Sequence, residues 1–195
     1  MMLNWLKLSL VAAFLALPLS VVPANAQDHG EVGAFADYFR VQALPLDLVG
    51  VGGRASVNIA QHVQLEGELA YDFERAFGTA SNNGASLTAE RSGMRALHGM
   101  FGPKFQVGTG AWRAFVTVKG GFVDFNFSNL NPTSGFDSAI DNLRTNSVNG
   151  VLYPGGGVEA YLGPIGLRLD VGDQIYFNNG ANHNLAVTFG PHIRF

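Results

Sequence analysis

The sequence predicts an all-β fold, and within that class an eight-stranded antiparallel up-and-down transmembrane β-barrel. Three observations predict it. Apolar residues recur at every second position in eight segments, which is the period of a β-strand with one apolar face. No helical period of any length appears after residue 30. Tight turns alternate with longer connections between the segments, as expected for a meander in which each strand pairs with the next.

The clearest predicted strand is residues 63–73, VQLEGELAYDF. One face carries Val63, Leu65, Leu69, Tyr71 and Phe73, and the other carries Gln64, Glu66, Glu68, Ala70 and Asp72. The other predicted strands are residues 48–59, 95–107, 112–122, 152–162, 165–172, 185–195 and 31–41. The pattern of 31–41 is too weak to assign its faces. In 112–122 the pair Gly120–Gly121 favours a bulge, so the alternation is not extended beyond it.

The connections between these strands fall into two classes. Three are tight: residues 60–62, 109–110 and 163–164. Four are longer and carry the composition of loops: residues 42–47, 74–94, 126–147 and 177–183. Because the two classes alternate along the chain, we expect all the tight turns at one end of the barrel and all the long loops at the other.

The direction of the apolar faces separates a soluble barrel from a membrane barrel. Only 14% of the residues are charged, and the chain has three lysines, too few for the water-exposed outside of a soluble barrel. Strands of about 10 residues suit a tilted crossing of the hydrocarbon layer. Aromatic residues gather near strand ends, the girdle pattern of membrane barrels, with Tyr71, Phe73, Phe122 and Tyr176 toward the loops and Phe105, Trp112 and Phe195 toward the turns. We therefore expect the apolar faces to point at lipid.

The amino terminus has the pattern of a secretory signal peptide. Lys7 precedes an apolar run from Leu8 to Leu19, and Ala24-Asn25-Ala26 forms a small-x-small cleavage site. A membrane anchor is the alternative, but Pro18 breaks the run and no charged stop-transfer flank follows it. The prediction is a cleaved signal peptide at 1–26 and a single barrel domain at 27–195.

The polar faces predict a charged network in the lumen, because an eight-stranded barrel is just wide enough for side chains to fill. Pairing across the turn at 60–62 sets Arg54 opposite Glu68, and pairing across 163–164 sets Glu159 opposite Arg168. A buried carboxylate needs such a partner. The predicted network comprises Arg54, Glu66, Glu68, Lys104, Arg113, Lys119, Glu159, Arg168 and Asp170.

The sequence favours a protein that is not an enzyme. The five histidines have no metal-binding spacing, so no metal site, cofactor or catalytic residue is predicted. A Ser-His-Glu set of Ser56, His98 and Glu66 is conceivable but more typical of a lumen network. The formal charge of −3 provides no basic surface for nucleic acid.

The mature chain resembles the OmpA/OmpX-like family of small outer-membrane β-barrels. The signal peptide, the eight alternating strands, the turn and loop asymmetry and the ending NLAVTFGPHIRF carry the resemblance. It implies a cell outer-membrane location, contact with outer-membrane lipids and lipopolysaccharide, and a monomer. It also implies that the outer-membrane insertion machinery reads Phe189, Ile193 and Phe195, although Pro191 departs from the usual pattern.

The resemblance leaves several roles open. The expected function is structural or at the cell surface, in envelope integrity or adhesion, with minor porin-like leakage as a further possibility. Some eight-stranded barrels are lipid A-modifying enzymes, which is the alternative function. The His-x-Ser motif of the family's deacylases is absent from this sequence.

Overall fold

A computed structural model describes residues 29–42, 46–82, 87–108, 110–128, 148–178 and 180–195. Within 77–92 only the course of the backbone is described. The predicted signal peptide at 1–26 lies outside the described residues.

Ten strand segments form one antiparallel sheet: β1 Gly30–Val41, β2 Leu46–Ala60, β3 Val63–Asn82, β4 Leu87–Val107, β5 Trp112–Ser128, β6 Val148–Leu162, β7 Ile165–Asp173, β8 Ile175–Phe177, β9 Ala181–Asn182 and β10 Leu185–Arg194. β7 and β8 are one barrel strand interrupted at Gln174, and β9 and β10 are one strand interrupted at 183–184. The interruptions lie side by side, where the Asn184 side chain donates to the Gln174 carbonyl. The barrel therefore has the eight strands that the sequence predicts.

The sheet closes on itself. Each barrel strand pairs with its neighbour in sequence, and β1 pairs with β10 to complete the ring. Within the closed ring of described strands no sheet edge is left free, as lipid requires. The described part of the chain contains no helix long and apolar enough to cross a membrane.

Side-chain burial confirms the predicted direction of the faces. Val116 is 61% exposed on the outside, whereas the next residue, Thr117, is 2% exposed in the lumen. Leu167 is likewise exposed and Arg168 is buried. Apolar side chains thus cover the outer surface and most charged ones lie inside, the inverse of a soluble barrel.

Two predictions about local structure are wrong. Gly120 and Gly121 do not form a bulge, because the pairing of β5 with β4 and β6 keeps one register through both. At Gly121 a Cβ atom would meet the Gly99 backbone, so glycine here permits close strand approach. The predicted loop 74–94 is mostly strand, since β3 and β4 stay paired up to Asn82 and Leu87. Polar, glycine-rich composition suggested a loop where the ladder continues.

The other long loops are only partly described. The predicted loop 126–147 begins as strand, because β5 runs to Ser128, and residues 129–147 lie outside the described residues. The predicted loop 177–183 is a short hairpin between β8 and β9.

The lumen contains two layers, of which the sequence predicts only one. Charged side chains fill the half near the tight turns. An apolar cluster fills the half near the loops and comprises Phe39, Val41, Leu46, Leu48, Met94, Ala96, Met100, Val123, Phe125, Val151, Tyr153, Tyr176 and Ala186. The charged network predicted from the sequence therefore accounts for only one of the two layers. Tyr176, predicted in the outer aromatic girdle, packs edge-on against Phe125 inside, with ring centroids 5.3 Å apart.

Candidate functional site in the barrel lumen

Glu66 is the carboxylate on which the charged layer converges. Arg168 donates to it from both terminal guanidinium nitrogens, Nη1 to Oε2 at 2.5 Å and Nη2 to Oε1 at 3.0 Å. Lys119 Nζ lies 2.8 Å from the Glu66 Oε1 atom, and Lys104 Nζ lies 3.8 Å from Oε2. Glu66 is completely surrounded by protein. A buried carboxylate is stable only with partners of this kind.

Arg168 joins the two sides of the layer. Its Nη2 donates to Asp170 Oδ2 at 2.7 Å, and its Nη1 lies 3.6 Å from Glu159 Oε1. The guanidinium also stacks over the Phe115 ring at 4.0 Å. The register of β6 and β7 places Glu159 opposite Arg168, as the turn at 163–164 predicts.

The two lysines bridge carboxylates from different strands. Lys104 Nζ donates to Glu159 Oε1 at 2.7 Å and to Glu31 Oε2 at 3.1 Å. Lys119 Nζ donates to Glu68 Oε2 at 2.6 Å. Each ammonium thus links strands that are not neighbours in the sheet, which ties the barrel wall together across the lumen.

Arg54 has partners that the sequence does not predict. The register of β2 and β3 sets it opposite Glu68, as the turn at 60–62 predicts, although Val63 pairs with Ala60 and not with Ile59. The guanidinium nevertheless donates to Thr188 Oγ1 at 2.7 Å and lies 3.9 Å from Asp170. The sheet register determines which residues lie directly opposite each other. A long side chain such as that of Arg54 can still reach past its opposite residue and contact a side chain farther away.

Arg113 lies at the edge of the layer, next to the tight turns. Its guanidinium carbon is 4.8 Å from the centroid of the Tyr161 ring, and that of Arg194 is 4.7 Å from the same centroid. The Tyr161 hydroxyl lies 2.7 Å from Glu31 Oε1 and 2.9 Å from Glu159 Oε2, so its one proton is donated to either carboxylate. Arg113 thus joins the charged layer through an aromatic ring.

The conceivable Ser-His-Glu set is not assembled. The Ser56 hydroxyl donates to Gln64 Oε1 at 3.3 Å, His98 Nε2 lies 2.7 Å from Asp37 Oδ2, and Glu66 binds Arg168. Because each member has a different partner, this constellation does not support nucleophilic catalysis.

Sequence reasoning missed a second set of lumenal residues. Glu31 and Asp37 lie on β1, whose faces the weak pattern of 31–41 does not assign. Closure of the ring supplies the missing information, because β1 pairs with both β2 and β10 and its odd-numbered residues from Glu31 to Val41 turn inward. Only a long-range contact identifies this face.

Among the residues that the structure describes, two groups of three lumenal side chains have a geometry that could hold a metal ion: Asp37, Asp72 and His98, and Glu31, Glu159 and His192. The ligand atoms of each group lie within 4.8 Å of one another. The prediction of no metal site used histidine spacing along the chain, which cannot detect ligands from separate strands.

Of the expected assembly signal, Phe189 and Ile193 lie on the outer face of β10, and Phe195 directly follows this strand. Phe189, Ile193 and Phe195 are each about half exposed. Pro191 keeps its register opposite Leu167 of β7. On the other side, β1 and β10 pair at Gly33–His192 and next at Ala36–Phe189. The ladder with β1 is interrupted beside the proline, which lacks a donor.

No family model and no curated protein matches the sequence. Solved structures do match. Neisserial surface protein A has a TM-score of 0.54 and 12% identity, covering 85% of this chain and 97% of that one. Ail, the attachment invasion locus protein of Yersinia pestis, in a complex with the heparin analogue sucrose octasulfate, has a TM-score of 0.51 and 14% identity, covering 86% and 97%. The outer membrane protein OprG of Pseudomonas aeruginosa has a TM-score of 0.51 and 11% identity, covering 87% of this chain and 97% of that one.

The chain has the fold of the small outer-membrane β-barrels. At identities of 11–14% the likeness concerns the fold alone. Nearly the whole of each solved chain is matched, so the eight-stranded transmembrane barrel is shared from end to end.

Proposed function

We propose that the protein is an outer-membrane barrel with a sealed lumen, which serves the envelope as a structural and surface component. The observation that carries this proposal is the filling of the lumen by two successive layers. Lys104, Lys119 and Glu159 are fully buried in the charged layer, and Phe39 and Leu48 are fully buried in the apolar layer. A solute would have to displace paired charges and then packed rings, at a high cost in free energy.

The outer surface supports the proposed location. A belt of exposed apolar side chains surrounds the barrel, with Trp112 near the tight turns and Phe73 near the loops. Such a belt suits the acyl chains of outer-membrane lipids and lipopolysaccharide, and exposed Phe189 and Phe195 suit recognition by the insertion machinery. The secretory signal predicted at 1–26 would bring the chain to the periplasm for insertion as a monomer.

Surface adhesion is a second candidate role, and the β3–β4 hairpin favours it. β3 and β4 have 20 and 21 residues, whereas a strand needs about 9–11 to cross hydrocarbon. From Phe73 to Asn82 the strand can extend about 30 Å beyond the aromatic girdle at ~3.3 Å per residue. A paired ribbon of this length is more than barrel closure requires.

Complementation of a deletion strain tests both roles. We expect the protein in the outer-membrane fraction, and we expect loss of the gene to sensitise cells to detergent. A variant lacking residues 78–88 should restore detergent resistance like the wild type. If it also restores binding to host or abiotic surfaces, the adhesion role is wrong. Recovery of the protein as a soluble periplasmic species would refute the structural proposal.

A further inference from the structure

Three acceptor-bearing side chains meet in the lumen between the charged and apolar layers. Asp37 of β1, Asp72 of β3 and His98 of β4 are 3%, 0% and 2% exposed. His98 Nε2 lies 2.7 Å from Asp37 Oδ2 and 3.5 Å from Asp72 Oδ2. Each of the three strands thus contributes one potential metal-ligand atom to the same buried cluster.

The sheet register explains how two carboxylates come together there. Asp37 is paired with Gly50, and Gly50 is paired with Asp72, so the three form one row across β1, β2 and β3. A Cβ atom at Gly50 would lie 2.6 Å from Asp72 Oδ1. The same Cβ atom would also meet the Tyr71 carbonyl, so glycine at the centre of the row permits close approach of β3 and leaves room for the Asp72 carboxylate.

Among the described lumenal acids, these two carboxylates differ from the others because no lysine or arginine forms an ion pair with them. Neither oxygen of Asp72 has a hydrogen-bond partner, and Oδ1 of Asp37 and Nδ1 of His98 have none. Among the described ion pairs, the four buried cations Arg54, Lys104, Lys119 and Arg168 contact the five carboxylates Glu31, Glu66, Glu68, Glu159 and Asp170. Two further buried carboxylates beside a single imidazole thus carry an excess of negative charge that needs a cation.

We infer that Asp37, Asp72 and His98 bind a divalent first-row transition metal ion. With metal–ligand bonds of about 2.1 Å, tetrahedral ligand atoms stand about 3.4 Å apart. The His98–Asp72 separation of 3.5 Å matches this value, the His98–Asp37 separation of 2.7 Å is shorter, and all three ligand atoms lie within 4.8 Å of one another. Imidazole favours Zn²⁺ and its first-row neighbours over Ca²⁺ and Mg²⁺, and the two carboxylates neutralise the charge of such an ion. The ion would replace the Asp37–His98 hydrogen bond and join β1, β3 and β4 below the apolar layer.

The second group of potential ligands, Glu31, Glu159 and His192, does not have an excess of negative charge. Glu31 and Glu159 both accept from Lys104 and face the Tyr161 hydroxyl. His192 packs edge-on against the Tyr161 ring, with centroids 4.9 Å apart. Because the carboxylates already have cationic and hydroxyl partners, this group serves as an internal control.

The test is refolding of the protein with Co²⁺. The protein is unfolded in urea with a chelator, the chelator is removed, and the chain is refolded into detergent micelles with Co²⁺. Faster migration of the unboiled sample on a gel verifies folding. We expect one Co²⁺ per folded barrel after gel filtration, with ligand-field absorption more intense than that of the aqueous ion, and we expect Zn²⁺ to displace it.

Matched variants locate the ion. Asp72→Asn and His98→Gln should fold and lose the retained Co²⁺ and its absorption, whereas His192→Gln should keep both. Folded wild-type barrel that retains no metal would overturn the inference and assign the charge excess to bound protons. Retention by folded His98→Gln with an unchanged spectrum would overturn it as well.

Discussion

Individual lumenal residues are held by partners whose loss leaves a buried charge. Glu66 accepts a two-pronged contact from Arg168 and a further contact from Lys119. Removing one member of a buried pair typically costs about 3–5 kcal/mol, because the other charge remains without a partner. Breaking one ion pair therefore destabilises the barrel by more than the net contribution of that pair to the free energy of unfolding.

A double-mutant cycle tests the Glu66–Arg168 pair. Glu66→Gln alone should destabilise the barrel strongly, and adding Arg168→Gln should cost much less than its effect in the wild type. We expect a coupling of about 1–3 kcal/mol from urea unfolding in lipid vesicles. The matched cycle of Arg54→Gln and Glu68→Gln should give a smaller coupling, since Arg54 contacts Thr188 and Glu68 contacts Lys119. Equal couplings would contradict the observed partners.

An arginine scan tests which residues face lipid. Val116 lies midway between Trp112 and Phe122 on the outside of β5, so Val116→Arg should destabilise by about 2–4 kcal/mol. Val107→Arg, at the end of β4 beside a tight turn, should cost only about 0–1 kcal/mol. Equilibrium unfolding from vesicles measures both. Equal costs at the two positions would place the membrane midplane elsewhere.

The sequence predicts which lumenal residues lie opposite each other on neighbouring strands. It does not predict which side chains then contact each other. Short turns set Arg54 opposite Glu68 because the strand period is two. Which carboxylate the guanidinium reaches depends on side-chain rotamers and on Asp170 and Thr188, which arrive from distant strands. Asp37 remained unassigned because its strand has no clear alternation.

At the scale of strands, close approach of neighbouring backbones determines where glycine is needed. A Cβ atom at Gly121 would meet the Gly99 backbone, whereas at Gly120 the nearest atom would be 3.9 Å away. Gly121→Ala should therefore destabilise the barrel by about 1–3 kcal/mol, and Gly120→Ala should be tolerated. Thermal unfolding, followed by circular dichroism, compares the two. Equal tolerance would indicate that β5 and β4 are farther apart than described.

The β3–β4 hairpin provides a test of orientation. We expect the tight turns in the periplasm and the hairpin outside the cell, since the turns are the short connections of outer-membrane barrels. Proteinase K added to intact cells should cleave between residues 78 and 90 and spare residues 108–111. Cleavage at the hairpin only after the cells are permeabilised would reverse the orientation.

The β3–β4 hairpin also shows that amino-acid composition alone does not predict where a strand ends. Residues 74–94 contain turn-forming residues and were predicted as a loop, yet the ladder continues to the pair of Asn82 and Leu87. The pairing of β3 with β4 within the barrel favours continued pairing of the residues beyond it. Local amino-acid composition contains no information about this effect.

For the whole molecule, closure and filling of the barrel are the central features. The outward face was predictable because too few charges exist to cover a soluble surface. The apolar layer in the lumen was not, because inward Phe39 and Leu48 look in sequence like ordinary members of an apolar strand. Together the two layers are the basis of the proposal that the lumen is sealed.

Conductance of the wild-type protein in a planar lipid bilayer tests this central claim most directly. The refolded barrel is inserted at high salt, with a general porin in the same bilayer as the positive control. The proposed sealed lumen predicts no steady conductance steps above the bare bilayer, because hydrated ions would have to displace the paired charges and then the packed apolar side chains. Reproducible steps from the purified wild-type barrel would contradict a sealed lumen.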